Sequence, residues 1–268
     1  MKKVRDSMVN TKVLKTLKKI IRLPFNTIGL ELIKKRQKGR NDYSMQQPSW
    51  QERLQHAKDL GFSAQVIFDG GAFNGLWTKD VSQIFPGSQI VLFEPNPYVQ
   101  DIIIDNISDL KPSPIVLNIA LGESCGNSTL NIWNDDASDS GASLLNHVRG
   151  QSQRAIKVKV DSLDNIAQKL KLNPNLIKLD LQGGELLALK GGRKVLNYAE
   201  FAIIEFGCLE AYRSRPTPRD ILDIMYEKGF CLYDIVGCHY RPYDRALTGG
   251  DFFFVKNSSI LRKYKGYE

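Results

Sequence analysis

Metal ligands and reactive thiols are scarce in this chain. Its 268 residues include three histidines (His56, His147, His239) and four cysteines (Cys125, Cys208, Cys231, Cys238), with no C-x-x-C pair. Structural zinc needs four such ligands at short spacings, so the sequence argues against it and no metal residue is assigned. With no secretion signal beside them, the cysteines read as reduced thiols of a cytoplasmic protein. Long apolar runs are also missing. The longest uncharged run of the first 40 residues, Leu23 to Leu30, falls far short of the roughly 20 residues that cross a bilayer. There is no internal repeat. Nor is there a G-x-G-x-x-G turn, the loop that presents a helix N-terminus to a pyrophosphate, which disfavours a dinucleotide-dependent oxidoreductase.

Positive charge is plentiful but confined. The formal net charge is +8, yet residues 1–40 hold 13 Lys/Arg against two Asp/Glu, while the rest carries 24 basic and 27 acidic residues. A mildly acidic body is a poor match for a polyphosphate backbone, so no nucleic-acid partner is expected. In the basic part, Thr11 to Leu23 places Val13, Leu14, Leu17, Ile20 and Ile21 on one helical face, with lysines around the rest. Such a helix can lie on an anionic membrane, peripheral at its inner face, or pack its apolar stripe on the body or a partner subunit. Pro24 breaks the pattern, a second short helix fits 27–35, and Arg36 to Pro48 reads as a linker. The chain thus divides into an extension, 1–48, and a body, 49–268.

Within the body, two apolar runs stop abruptly on an acid. Val66 to Gly75 reads VIFDGGAFNG and Ile90 to Pro97 reads IVLFEPNP. Both have the length of a buried parallel strand. Asp69 runs into Gly70 and Gly71, which allow a sharp turn and close ligand approach. Glu94 ends the next strand, where a carboxylate can accept from both hydroxyls of a ribose. A carboxylate at the first turn would repel pyrophosphate but suits a ligand with an ammonium and a sulfonium, which points to S-adenosylmethionine. A third segment, LIKLDLQGGE (Leu176 to Glu185), places Asp180 and Glu185 about another strand-to-helix turn, and FAIIEF (Phe201 to Phe206) carries Glu205. In an open α/β sheet these acids share the ligand-binding edge.

The periodicity alternates from there. Strands are expected at 66–69, 90–94, 115–119, 128–133, 156–160, 176–180, 201–206, 231–236 and 251–255, and helices at 50–60, 75–85, 97–110, 185–196 and 218–228. The polar stretch from Ser124 to Arg154, containing SGASLL, reads as a long insertion and a candidate substrate lid.

With VIFDGGAFNG, FPGSQIVLFEPNP, NIALGE (Asn118 to Glu123), SLDNI (Ser162 to Ile166), IKLDLQGGE and AIIEFG in this order, the chain resembles the FkbM-type S-adenosylmethionine-dependent methyltransferases over about 66–256. The resemblance implies the class I methyltransferase fold: an α/β, Rossmann-like, seven-stranded and mostly parallel sheet with helices on both faces. It also implies O-methylation of a hydroxyl on a sugar, glycan or secondary metabolite. Cofactor contacts are then expected at Asp69, Gly70, Gly71, Ala72, Asn74, Gly75, Glu94, Pro95, Asn96, Ala120 and Leu121. One position departs from the family, which commonly has glutamate where this chain has Gln182. Removing the acceptor proton calls for a base or a metal, and Asp180, Glu205 and His239 are the candidates, Asp180 first. Lys178, inside a strand, reads as an ion-pair partner for a strand-end acid. The acceptor would be a small molecule or glycan. Two rival readings are an N-methyltransferase on the same fold, which would usually carry an Asn-Pro-Pro-aromatic loop where Leu181-Gln182-Gly183-Gly184 stands, and an inactive, membrane-docked interaction module.

Overall fold

A computed structural model of the chain describes residues 48–133, 140–148, 150 and 154–266. The basic extension and most of its linker lie outside the described residues. Ser49 opens the first helix, α1 (Trp50–Asp59), as a capping box: its hydroxyl accepts from the Glu52 amide and the Glu52 carboxylate accepts from its own. The order then runs β1 (Val66–Gly70), α2 (Leu76–Ile84), β2 (Gln89–Phe93), a 3₁₀ turn (Pro97–Val99), α3 (Gln100–Ile107) and β3 (Ile115–Leu117). After β4 (Ala120–Leu121), β5 (Gly126–Ile132) and β6 (Arg154–Asp161) come α4 (Leu163–Leu170), β7 (Leu176–Leu179), α5 (Glu185–Lys190) and α6 (Val195–Tyr198). The chain finishes through β8 (Phe201–Gly207), α7 (Pro218–Glu227), β9 (Phe230–Tyr240) and β10 (Leu247–Lys256).

The expected seven-stranded sheet is present, in the order β3-β2-β1-β7-β8-β10-β9. Five strands are parallel and β10 runs antiparallel between β8 and β9. The parallel strands are buried on both faces, which is why they read as continuous apolar runs. One face packs Ile67, Ile90, Leu92, Phe201 and Phe253 against α1, α2 and α3. The other packs Phe68, Phe93, Leu179, Ile204 and Phe206 against α4 to α7. The strand order reverses at β1, with β2 on one side and β7 on the other. In such sheets a crevice opens beyond the carboxyl ends at that point, and ligands bind there.

Several elements differ from the sequence expectation. The helix expected over 97–110 opens as a 3₁₀ turn, because Asn96 accepts from the Tyr98 amide and Pro97 stands at the first helical position. The helix expected over 185–196 is interrupted at Gly191-Gly192, where a Cβ on Gly191 would lie 2.2 Å from the Gly122 carbonyl oxygen. Helix α4 was not expected. It is eight residues long, and Ser162 caps it by accepting from the Asn165 amide. The insertion after β3 is not irregular throughout: β5 and β6 form an antiparallel ladder that, with β4, makes a second sheet. The closing hairpin is longer than expected, so His239 lies on β9 and not in a loop.

Gly71 holds the turn after β1. Its φ is +75°, and an added Cβ would lie 1.9 Å from the Asp180 carbonyl oxygen. Only glycine permits both the backbone conformation and this approach of the β1 and β7 turns. Gly71→Ala is therefore expected to lower stability by about 3 kcal/mol or more. Urea denaturation of the variant checks this, and an unchanged midpoint would contradict it.

Candidate active site

The turn after β1 bends toward β2. The amides of Gly71 and Ala72 both donate to the Phe93 carbonyl, at 2.9 and 3.2 Å. Asp69 is fully buried beneath this turn: its Oδ2 accepts from Thr78 Oγ1 at 2.7 Å, and its Oδ1 lies 3.4 Å from Lys178 Nζ. These internal partners take the place of the ligand contact expected of Asp69. Burial opposes the Lys178 charge, but Asp69, Asp180 and Asp251 outweigh it and hold its pKa above the usual lysine range.

Glu94, just past β2, is 7 % exposed. Its two oxygens accept from different backbone amides, Oε2 from Phe73 and Oε1 from Asn96, each at 2.8 Å. The carboxylate thus ties the β1 turn to the β2 turn. Burial raises its pKa to about 7, against the lowering effect of the two amides and Lys178.

A cavity of about 270 Å³ lies over these turns. Glu94, Pro95, Ala120 and Leu121 line it, with Phe93, Ile119 and Leu130 as apolar wall and Ser140, Ala142 and Leu144 contributed by the insertion. Gly71, Asp180 and Gln182 line it too. Among the described residues that line it there are two acids and no Lys, Arg or His. Gly70, Asn96 and Gly75 do not face this cavity. Gly70 packs on Leu179 and Leu121, Asn96 caps the 3₁₀ turn, and Gly75 caps α2 in the left-handed region. Ala72 and Asn74 line a neighbouring cavity of about 230 Å³ together with Trp50, Trp77, Lys178 and Asp251; it shares Gly71, Phe73 and Asp180 with the first.

The turn after β7 carries the catalytic candidates. Asp180, whose side chain is 38 % exposed, accepts at Oδ1 from Gln182 Nε2 at 2.9 Å and holds Oδ2 3.6 Å from Lys178 Nζ. The same Gln182 amide nitrogen lies 3.4 Å from Glu205 Oε2, while Gln182 Oε1 accepts from the Tyr212 hydroxyl at 3.2 Å. Gln182 therefore joins Asp180 to Glu205, from a left-handed backbone with φ of 52°. Arg215 Nη2 approaches Glu205 Oε1 at 3.0 Å. Burial, then the Asp180 and Glu185 charges, push the Glu205 pKa well up, and Arg215 opposes them. Glu185 is fully buried and accepts from the Leu181 and Gly183 amides at 2.7 and 3.1 Å, so it clamps the turn from within. His239 lines a separate cavity that Glu205 and Arg215 also line and Asp180 does not.

Sequence reasoning missed Gln182 as a link, Arg215 as the partner of Glu205, and the wall formed by Leu130, Ala142 and Leu144. Arg215 left no signal, standing in the polar run SRPTPR. The apolar residues of SGASLL were the available sign that this stretch packs inward.

The family model of the methyltransferase FkbM domain matches residues 69–232. The 2-O-methyltransferase NoeI of Sinorhizobium fredii (strain NBRC 101917 / NGR234) is 24 % identical over 172 residues, covering 60 % of this chain and 70 % of that protein. A methyltransferase FkbM of Methylobacillus flagellatus KT is 19 % identical with a TM-score of 0.45, covering 71 % of this chain but only 44 % of that one. Magnesium protoporphyrin IX methyltransferase from Synechocystis PCC 6803, solved with bound S-adenosylmethionine, is 13 % identical with a TM-score of 0.43, covering 89 % of this chain and 96 % of that one.

The raised pKa of Glu94 fixes the sign of a pH effect. Folding lifts it from 4.5 to about 7, so the folded state binds this proton more tightly. Its stabilising contribution is complete below about pH 4.5 and is lost as pH rises through about 7. Glu94→Gln cannot ionise. The stability of the ligand-free protein minus that of the variant is expected to fall over this window, by urea denaturation at several pH values. A difference independent of pH would contradict the assignment.

Proposed function

Because the chain belongs to the FkbM methyltransferase family and is an S-adenosylmethionine-dependent methyltransferase, we propose that it methylates a hydroxyl oxygen on a sugar, a glycan or glycolipid, or a secondary metabolite. The observation that carries this reading is a cavity at the strand-order reversal with two carboxylates and, among the described residues that line it, no Lys, Arg or His, joined through one amide to Glu205. Such a cavity repels a pyrophosphate and accepts a cationic nucleoside.

The residues present fit that cofactor. Glu94 keeps both oxygens fixed by backbone amides and faces the cavity, so it is placed to accept from ribose hydroxyls. Phe93, Leu121 and Leu130 offer an apolar wall for a flat base, with Pro95 and Ala120 beside it. Asp180 and Gly71 lie where this cavity meets its neighbour. When bound, S-adenosylmethionine supplies a methyl group on a positively charged sulfur, and the C–S electron pair stays with sulfur as the acceptor oxygen takes the carbon. The work left to the protein is alignment and proton removal. Gln182 donates to Asp180 Oδ1, and Lys178 Nζ lies 3.6 Å from Oδ2. The carboxylate is thus steadied at both oxygens, and a remaining lone pair takes the acceptor's proton. Glu205, held by Arg215, is placed to orient the acceptor. The fixed amide of Gln182 also relieves repulsion that a third carboxylate would bring to this turn.

Asp180→Asn is expected to cut turnover by about 10²–10⁴-fold while the affinity for S-adenosylhomocysteine changes little. Transfer of labelled methyl to glycolipid and sugar-nucleotide pools, with product analysis for O- against N-methylation, checks it. Loss of cofactor binding and turnover together would make Asp180 a cofactor contact and not the base.

We propose further that residues 1–40, with 13 Lys/Arg against two Asp/Glu, hold the enzyme peripherally on anionic membranes. Each basic residue near such a surface contributes about 1 kcal/mol, screened by salt. The full chain should sediment with anionic but not neutral vesicles and release at high salt, and the chain lacking residues 1–40 should stay in solution. Equal sedimentation of the truncated chain would contradict this.

A further inference from the structure

An acceptor hydroxyl must reach the methyl group and Asp180 together, so its cavity has to meet the cofactor cavity at Asp180. The cavity at His239 fails this condition, because it shares no lining residue with the cofactor cavity. The cavity of about 230 Å³ meets it, sharing Gly71, Phe73 and Asp180. Trp50 and Trp77, with ring centroids 5.5 Å apart, line it together with Lys178 and Asp251. We infer that this cavity receives the acceptor and that Asp251 holds it there, accepting a hydrogen bond from a second hydroxyl beside the one that is methylated. The inference rests on the methyltransferase reading above.

Asp251 stands apart from the other acids of this edge. Asp69 accepts from Thr78, Glu94 from the Phe73 and Asn96 amides, Asp180 from Gln182, and Glu185 from the Leu181 and Gly183 amides, while Glu205 pairs with Arg215. The Asp251 carboxylate accepts no hydrogen bond from a described residue. Lys178 is held instead by Asp69, Asp180 and the Gly71 carbonyl. Packing does not account for Asp251 either. It lies on the face of β10 that carries Phe253 into the apolar layer, where a carboxylate has nothing to gain. The β9–β10 register shifts between Gly249 and Asp251, an irregularity of the kind that re-aims a side chain beside a site. Burial, then the Asp180 charge, raise the Asp251 pKa to about 6, against Lys178 and His239. An acceptor this enclosed, with no donor in the protein, calls for a donor on the ligand. The two indoles add a flat apolar wall for the carbon face of a ring. A ring with one hydroxyl at Asp180 and another at Asp251 answers both acids.

The test uses the full chain saturated with S-adenosylhomocysteine, whose own affinity is measured first, at about pH 8, above the pKa of Asp251. The probes are cis- and trans-1,2-cyclohexanediol and cis-1,3-cyclohexanediol, set against cyclohexanol, which lacks the second hydroxyl, and read by saturation-transfer NMR and calorimetry. At least one diol should bind about 10-fold tighter than cyclohexanol or better, the scale of one hydrogen bond to a charged group. Asp251→Ala should abolish that preference and leave the affinity for S-adenosylhomocysteine unchanged. Asp251→Asn, which keeps the shape and loses the charge, is the second variant if the first does not fold, and should remove most of the preference. Binding of none of the diols, equal binding of diols and cyclohexanol, or a preference that survives loss of the Asp251 carboxylate would overturn the assignment. So would an S-adenosylhomocysteine affinity that falls in the variants, since the cavity would then belong to the cofactor. Failure of the wild-type chain to bind S-adenosylhomocysteine would instead overturn the methyltransferase reading, and this inference with it.

Discussion

Lys178 is the constraint on which the ligand-binding edge depends. It sits within a central strand at 9 % exposure, with Nζ 3.4 Å from Asp69 Oδ1, 3.6 Å from Asp180 Oδ2 and 3.3 Å from the Gly71 carbonyl. A lone charge at this depth would be driven to neutrality by desolvation. With two carboxylates it stays charged, and it pins the end of β1 to the end of β7 where the strand order reverses. Removing one partner of such a buried set leaves an uncompensated charge and costs about 3–5 kcal/mol. The arrangement also explains why Asp69 is unavailable to a ligand while Asp180 faces the cavity: the cation holds one acid inward and steadies the other at the rim.

Around that cation the fold uses one device twice. A buried glutamate on each side of the reversal accepts two backbone amides and so fixes a turn: Glu94 takes Phe73 and Asn96, and Glu185 takes Leu181 and Gly183. Turns braced this way present rigid edges to a ligand. The difference between the two lies in what they face. Glu94 borders the cavity, whereas Glu185 is sealed under its turn and serves the positions of Asp180 and Gln182. Rigid placement is the requirement of an in-line displacement, where misalignment of an ångström is costly.

The fold was legible because its strands are buried on both faces and end on acids, a pattern that survives in sequence without any knowledge of partners. Glu94 was legible for the same reason. What was not legible came from tertiary proximity. The Thr78 hydroxyl claims Asp69 from a helix with no motif to signal it, whereas Lys178, read as the ion-pair partner of a strand-end acid, does pair with Asp69 and Asp180. Arg215 meets Glu205 from a polar loop with no periodicity. His239 was read into a loop because β9 continues beyond its apolar stretch through Gly237 and Cys238. The role of Gln182 was hidden by its own departure from the family pattern. An amide stands where the family usually has a carboxylate, and the structure shows it donating toward two acids at once. The basic extension, 1–48, is read from sequence alone.

The central claim is that a cavity bearing Glu94 and Asp180, with no Lys, Arg or His among the described residues that line it, selects a nucleoside without phosphate. Calorimetric titration of the full chain with S-adenosylhomocysteine, NAD and ATP tests it most directly. S-adenosylhomocysteine should bind and the two phosphate-bearing ligands should not, and Glu94→Ala should weaken it by about 1–3 kcal/mol, roughly 5- to 150-fold. Comparable binding of NAD or ATP, or an affinity unmoved by loss of the Glu94 carboxylate, would contradict the account.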